Sequence, residues 1–199
     1  MTDDMIKLSD DFTAQMRHIL PDECDALLEA ITTTDPSVAI RVNDGRGISL
    51  SDDTVGRVPW CTTGRYLKER MPFTFDIDFQ TGRYYVQDAS SMFIHHVIKH
   101  VVKEPVRYLD LCAAPGGKTT TAISALPADS MVVANEIMPA RARVLHENIV
   151  KWGSPRCIVT NNAPHDLGKL HHFFDVVATD VPCSGEGMMR KDEEARNQW

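Results

Sequence analysis

Three stretches of the 199-residue chain carry side chains whose types and spacing could do chemistry on a nucleoside. The first is YLDLCAAPGGKTT, Tyr108–Thr120: an apolar run, a loop of small residues, then a helix start. Such a loop lets backbone N–H groups and a helix N-terminus approach a ligand closely. Gly117, Lys118 and Thr119 imitate the end of a Walker A loop, but Cys112 stands where its leading Gly is required, and no GxGxxG is present. From these residues alone two readings stay open, a ligand loop and a tight strand-to-helix turn. The second stretch is MVVANE. It ends at Glu136, about 20 residues beyond the loop, where a carboxylate is placed for ribose hydroxyls. An ordinary surface carboxylate is the alternative. Loop and acid together point to a nucleoside-containing cofactor.

The third stretch is FDVVATDVPCSGEGMMRKD, Phe174–Asp192, in which an apolar run delivers Asp180, Pro182 and Cys183 to one end. An open α/β sheet places its active site at such carboxyl ends. A carboxyl and a thiol in one turn suit one reaction in particular. C5 of cytosine is too weak a nucleophile to attack a methyl sulfonium unaided. A thiolate adding to C6 makes the ring enamine-like, and a carboxyl group at N3 stabilises the charge that develops. On chemistry alone Cys183 would be that thiolate. A buried structural Cys is the competing reading, and the commoner fate of a free Cys.

Bringing these residues to one edge requires alternating strands and helices, and the hydrophobic periodicity supplies them. Strands are expected at Val106–Leu111, Met131–Glu136, Cys157–Thr160 and Asp175–Asp180. Helices are expected at Ala89–Val102, Lys118–Leu126 and Ala140–Trp152, the last closed by Gly153. This alternation implies a parallel sheet with right-handed crossovers, which puts all strand carboxyl ends on one side. Upstream the texture differs. Ser9 is expected to cap a helix bearing Phe12, Met16 and Ile19, and Pro21 to sit in the first turn of a second bearing Cys24, Leu27, Leu28 and Ile31. Val38, Ile40 and Val42 alternate as a strand, Asp44–Gly47 reads as a turn, and Arg57–Tyr85 reads as short strands and loops. The change near residue 88 divides the chain into a small α+β domain, residues 1–87, and the first part of a Rossmann-like domain, residues 88–199.

Bulk composition is that of an ordinary globular protein, with 43% hydrophobic and 25% charged residues. The net charge of -7 is a poor match for gripping nucleic acid by charge alone. A local basic face could still come from Arg41, Arg46, Arg57, Arg65, Lys68, Arg70 and Arg83; a solvated mixed surface is the alternative. The five cysteines are widely spaced without CxxC, and neither His95–His96 nor His171–His172 has metal-site spacing, so no metal or disulfide framework is expected. The acidic N-terminus lacks an apolar signal region and no run is long enough to span a bilayer, so a cytoplasmic protein away from membranes is expected.

CAAPGGKT at Cys112–Thr119 and DVPCSGEGMMRKD at Asp180–Asp192 closely resemble the cofactor and catalytic motifs of the Sun/Nop family of RNA cytosine-C5 methyltransferases. RVN at Arg41–Asn43, VPW at Val58–Trp60 and YYVQDASSMF at Tyr84–Phe93 are similar to the amino-terminal part of its bacterial ribosomal RNA members. The resemblance therefore covers nearly the whole chain. It implies an α/β, Rossmann-like methyltransferase domain, incomplete, behind a small α+β domain that contacts RNA. It implies S-adenosylmethionine as cofactor and small-subunit ribosomal RNA as partner. By the same resemblance Cys112, Ala113, Ala114, Pro115, Gly116, Gly117 and Lys118 wrap the methionine part of the cofactor, largely through backbone. Glu136 binds the ribose hydroxyls with Arg141 nearby, Lys118 also lies close to the reacting groups, and Asp180 contacts the target cytosine beside the cofactor. Cys183 helps release the covalent RNA adduct and is not the attacking nucleophile, which reverses the reading from chemistry alone.

The sequence departs from the family pattern twice. The adenine-contacting Asp is expected after the third strand, where this chain reads TNNAPHDL. Asp166 comes a few residues late, so Asn161, Asn162 or the backbone at Ala163 is expected to serve. The family's nucleophile lies in a Thr-Cys pair further downstream, beyond Trp199. An excised or truncated fragment, inactive alone and prone to self-association through an exposed sheet edge, is therefore expected. Two alternatives stand beside this reading: a non-catalytic module that binds S-adenosylmethionine or RNA, and a DNA cytosine-C5 methyltransferase using Cys183 as nucleophile.

Overall fold

The computed structural model describes residues 6, 8–47, 54–181, 186–189 and 193–198. Helix α1 (Asp10–Ile19) opens at Ser9, whose hydroxyl accepts the Phe12 N–H at 3.1 Å, with Asp10 and Asp11 in the first turn where the helix dipole favours negative charge. Helix α2 (Cys24–Thr33) starts after Pro21, not at it. Residues 21–23 form a turn in which the Glu23 N–H reaches the Leu20 carbonyl at 3.3 Å, a conformation that suits the fixed φ of proline as well as a helix start does. Residues 1–36 and 181–199 make one compact unit, and Ser37–Asp180 make another.

The larger unit holds two sheets. The first comprises β1 (Val38–Val42), β2 (Thr54–Arg57), β3 (Gly64–Leu67) and β4 (Tyr84–Val86) in the order β2-β3-β1-β4, all antiparallel. Between β3 and β4 the aromatic stretch forms a 3-10 turn, Phe73–Phe75, and the short helix α3 (Ile77–Gln80). Strand alternation sorts the side chains of this sheet. Ile40 packs with Leu67, Phe73 and Tyr84, whereas its neighbour Ala39 packs with Val58, Cys61, Ala89 and Met92.

Helix α4 (Phe93–Val101) leads into the second sheet: β5 (Arg107–Asp110), α5 (Gly117–Ala125), β6 (Met131–Asn135), α6 (Pro139–Trp152), β7 (Cys157–Thr160), α7 (Pro164–Leu167) and β8 (Val176–Ala178). The strand order is β7-β6-β5-β8, all parallel, with Leu109 opposite both Val133 and Val177. From β5 the chain winds outward to β6 and β7, then returns to the far side of β5 as β8. That reversal makes the carboxyl ends of β5 and β8 a topological switch point, the place where α/β sheets bind ligands. The apolar runs that predicted these strands fill a core of Tyr108, Ile123, Val132, Leu145, Ile149 and Trp152. Each such buried side chain contributes roughly 1.5–3 kcal/mol. Pro139 starts α6, one residue before the expected Ala140, and Gly153, at φ +77°, ends it as expected. In the smaller unit a last short helix, α8 (Glu193–Gln198), places Arg196 Nη1 2.6 Å from the carbonyl of Met189, which is buried, whereas Met188 is exposed.

Among the described residues no helix is long and apolar enough to cross a membrane. The basic stretch is not one surface. Arg41 is completely buried, and Arg83 lies 3.4 Å from the carboxylate of Asp78. Two aromatics of this unit are structural: Tyr84 is core, and the Trp60 indole N–H donates to the Ala89 carbonyl at 2.6 Å.

Candidate functional site

Strand β5 ends at Asp110, and the chain turns through Leu111–Gly116 into α5. Gly116 makes the turn at φ +110°, where a side chain is strained, and a Cβ there would lie 3.2 Å from Leu145 Cδ1. The loop is fixed from inside and outside. The Ala113 N–H donates to the Asn135 carbonyl and the Gly116 N–H to the Ala113 carbonyl, both at 2.8 Å. Arg141 Nη2 donates to the Ala114 carbonyl at 2.9 Å, and Asn148 Nδ2 to the Pro115 carbonyl at 2.8 Å. Among the described residues no side chain caps α5. Its leading N–H groups, with the positive end of the helix dipole, form a donor set that fits a carboxylate.

Lys118, in the first turn of α5, reaches Asp180, which lies just beyond β8. The Nζ–Oδ2 distance is 2.5 Å and both side chains are exposed. Behind them Asp110 is buried and accepts the Thr119 hydroxyl at 2.6 Å. Burial holds the Asp110 carboxyl above the usual carboxylate range; the Thr119 bond opposes this, the Asp180 charge adds to it, and Lys118 opposes it. Burial, and then the charges of Glu136, Asp110 and Asp180, push the Cys112 thiol upward, which disfavours the thiolate, and Arg141 opposes them.

Glu136 follows β6 directly, at the same edge of the sheet. Its side chain is 3% exposed, Oε1 accepts the Met138 N–H at 3.0 Å, and Oε2 lies 3.6 Å from Arg141 Nη1. Arg141 therefore bridges the loop carbonyl of Ala114 and the carboxylate of Glu136. Most of the residues singled out from the sequence thus converge: the 112–118 loop, Glu136, Arg141 and Asp180 occupy the carboxyl ends of β5, β6 and β8. Pro182 and Cys183 lie outside the described residues.

In the loop after β7 several of the groups weighed for the adenine contact have partners within the chain. Asn161 Nδ2 holds the carbonyls of Glu136 and Ile137 at 2.6 and 3.0 Å. The Asn162 N–H donates to Asn135 Oδ1 at 3.0 Å. Asp166 accepts from Lys169 at 2.6 Å, and Ala163 stands at the entry to α7. Asn135 itself was missed by sequence reasoning. It is fully buried, and its amide joins the Leu111 and Asn162 carbonyls at 3.2 and 3.0 Å while accepting the Thr160 hydroxyl at 2.9 Å. It ties three strand ends together. Its only signal is a polar residue closing an apolar run.

Comparison with known proteins agrees with this geometry. The family model described as 16S rRNA methyltransferase RsmB/F matches residues 99–198, half of the chain. The model for the N-terminal domain of 16S rRNA methyltransferase RsmF matches residues 8–89. The chain belongs to the RsmB/F family. Ribosomal RNA small subunit methyltransferase F of Enterobacter sp. (strain 638) is 32% identical over 215 residues, covering 100% of this chain and 44% of that protein. The RsmB/F chain thus spans less than half the length of that relative. Among solved structures, the methyltransferase homolog protein from Pyrococcus horikoshii superposes with a TM-score of 0.73 at 25% identity, over 95% of this chain and 64% of that one. NSun6 from Pyrococcus horikoshii, solved with SFG, superposes with a TM-score of 0.70 at 14% identity over 88% of this chain and 71% of that one, a likeness of fold.

Proposed function

We propose that the whole protein methylates C5 of a cytosine in small-subunit ribosomal RNA, with S-adenosylmethionine as the methyl donor, in the cytoplasm. The observation that carries this is the meeting of Lys118 with Asp180 beside an uncapped α5, at the strand ends where Glu136 also stands. The donor set suits the cofactor. The leading N–H groups of α5 receive the methionine carboxylate, with Cys112–Lys118 wrapping that end through backbone. A carboxylate offers about four acceptor sites, so Glu136 can accept ribose hydroxyls beside the Met138 N–H it already binds. Arg141 keeps that carboxylate and the Ala114 carbonyl in register. The Ala163 backbone is the adenine contact, since the side chains of Asn161 and Asp166 are engaged within the chain and Asn162 is held through its backbone.

Bound there, the cofactor supplies a methyl group activated by its sulfonium. Asp180 holds the target cytosine, and Lys118 holds Asp180 in place and keeps a positive charge near the ring as negative charge develops. Cys183 assists release of the RNA adduct formed by a downstream thiolate. Residues 1–87 are the part proposed to contact RNA and 88–199 the start of the catalytic part. The test is methyl transfer by the whole protein from labelled S-adenosylmethionine to small-subunit RNA transcripts, with nucleoside analysis. The expected product is 5-methylcytidine, lost in Asp180→Asn by about 100-fold or more, as for removal of an electrostatic stabiliser. Methylation of DNA in preference to RNA would overturn the substrate assignment.

A further inference from the structure

Arg41, the last residue but one of β1, is 0% exposed, yet among the described residues no carboxylate forms an ion pair with its guanidinium, and Asp44 acts on it only as a minor charge. All its partners are neutral. Nε donates to Gln87 Oε1 at 3.1 Å, Nη1 to Ser124 Oγ at 3.2 Å and Nη2 to Thr120 Oγ1 at 2.5 Å. One face of the group lies over the Trp152 ring, 4.3 Å from its centroid. Burial lowers its pKa only to about 10, so the group keeps its charge at neutral pH. A buried, unpaired cation is a costly way to fill space, and an apolar side chain of similar volume would pack there at lower cost. A second polar group is also left short: among the described residues Gln87 Nε2 is buried without a hydrogen-bond partner, while Arg41 and Thr121 both lie on its amide oxygen.

The charge is directed at one place. Thr120, which receives the Arg41 N–H, has its hydroxyl oxygen 2.9 Å from the Gly116 carbonyl and 3.0 Å from that of Gly117. Thr121 Oγ1 lies 2.8 Å from the Gly117 carbonyl and 3.2 Å from the same Gln87 oxygen. The peptide groups whose carbonyls are gripped in this way carry, at their other ends, the N–H groups of Gly117 and Lys118. Those are the leading donors of α5. A hydroxyl polarised by a cation pulls on the carbonyl and makes the N–H of the same peptide a stronger donor.

We propose that Arg41 is a positioning residue for the anion-binding end of α5: acting through Thr120, it orients and polarises the Gly116–Gly117–Lys118 peptides toward the carboxylate of the bound cofactor. The ligand's carboxylate then answers the charge that the protein leaves unpaired. This rests on the reading that α5 receives the methionine end of S-adenosylmethionine.

The test is calorimetric titration of the full chain with S-adenosylhomocysteine and with 5′-methylthioadenosine, which keeps the nucleoside and thioether but lacks the amino-acid carboxylate. Arg41→Met is expected to weaken S-adenosylhomocysteine by about tenfold, the scale of one charge-assisted contact, and to leave 5′-methylthioadenosine within about twofold. Arg41→Lys should recover part of the loss. Should Arg41→Met not fold by circular dichroism, Thr120→Val interrupts the relay with Arg41 in place and is expected to show the same ligand-selective loss, which Thr120→Ser repairs. Equal weakening of both ligands, or of neither, would overturn the role for Arg41 while leaving the cofactor site standing. A wild-type chain that binds neither ligand would overturn the cofactor site itself, and this inference with it.

Discussion

Lys118 and Asp180 are 62 residues apart in sequence and 2.5 Å apart in space. Their residue types were legible in the sequence because both sit in segments whose composition has few other uses. The network behind them was not. Asp110 and Asn135 read as ordinary polar residues in or beside strands and Arg41 as part of a candidate basic face, and burial of a polar group leaves no periodic trace when its partners lie in other elements. Asp110 makes a prediction at this scale. Its folded carboxyl is raised by burial, so the native state binds a proton more readily than the unfolded chain does. Stability from this group is then greatest in acid and declines as pH rises from the ordinary carboxylate value through the folded one. In Asp110→Asn this term vanishes while Thr119 keeps an acceptor. Chemical denaturation across pH should show wild type losing stability relative to the variant as pH rises through that window; a constant difference would contradict the raised carboxyl.

The elements repeat this division. Parallel strands and the helices α5 and α6 were legible because a buried βαβ unit needs long apolar runs closed by Gly or Pro, and Pro139 and Gly153 mark both ends of α6. The four-residue helices α3 and α7 were not, since one turn shows no period. Nor was the order of the first sheet, because its strands of three to five residues alternate too briefly to reveal their partners. The joint between the sheets rests on single side chains. Asn43, just past β1, donates through Nδ2 to the carbonyl of Gly82 and to that of Trp152 at the end of α6, both at 2.9 Å. A Cβ on Gly82 would collide with the Lys151 backbone, so that approach depends on glycine. Removing the amide strands two carbonyls. Asn43→Ala should lower the unfolding free energy by about 1–3 kcal/mol in urea titrations, and an unchanged midpoint would mean that water replaces the amide.

At the scale of the whole molecule, β7 and β8 are the outer strands of the parallel sheet among the described residues. Strand β7 presents Ile158 at 53% exposure and β8 presents Val177 at 55%. Unprotected outer strands with apolar side chains are templates for pairing. The chain is therefore expected to self-associate, with a scattering mass that grows with concentration; a monomer mass held to high concentration would contradict that. The central claim is that the carboxyl ends of β5 and β6 hold S-adenosylmethionine, and calorimetric titration of the chain with that ligand, beside Glu136→Ala, tests it most directly. One site per chain is expected in wild type, and binding weaker by about tenfold or more in the variant, the loss of a carboxylate's hydrogen bonds. No heat of binding from a folded wild-type chain, or equal affinity in both proteins, would contradict it.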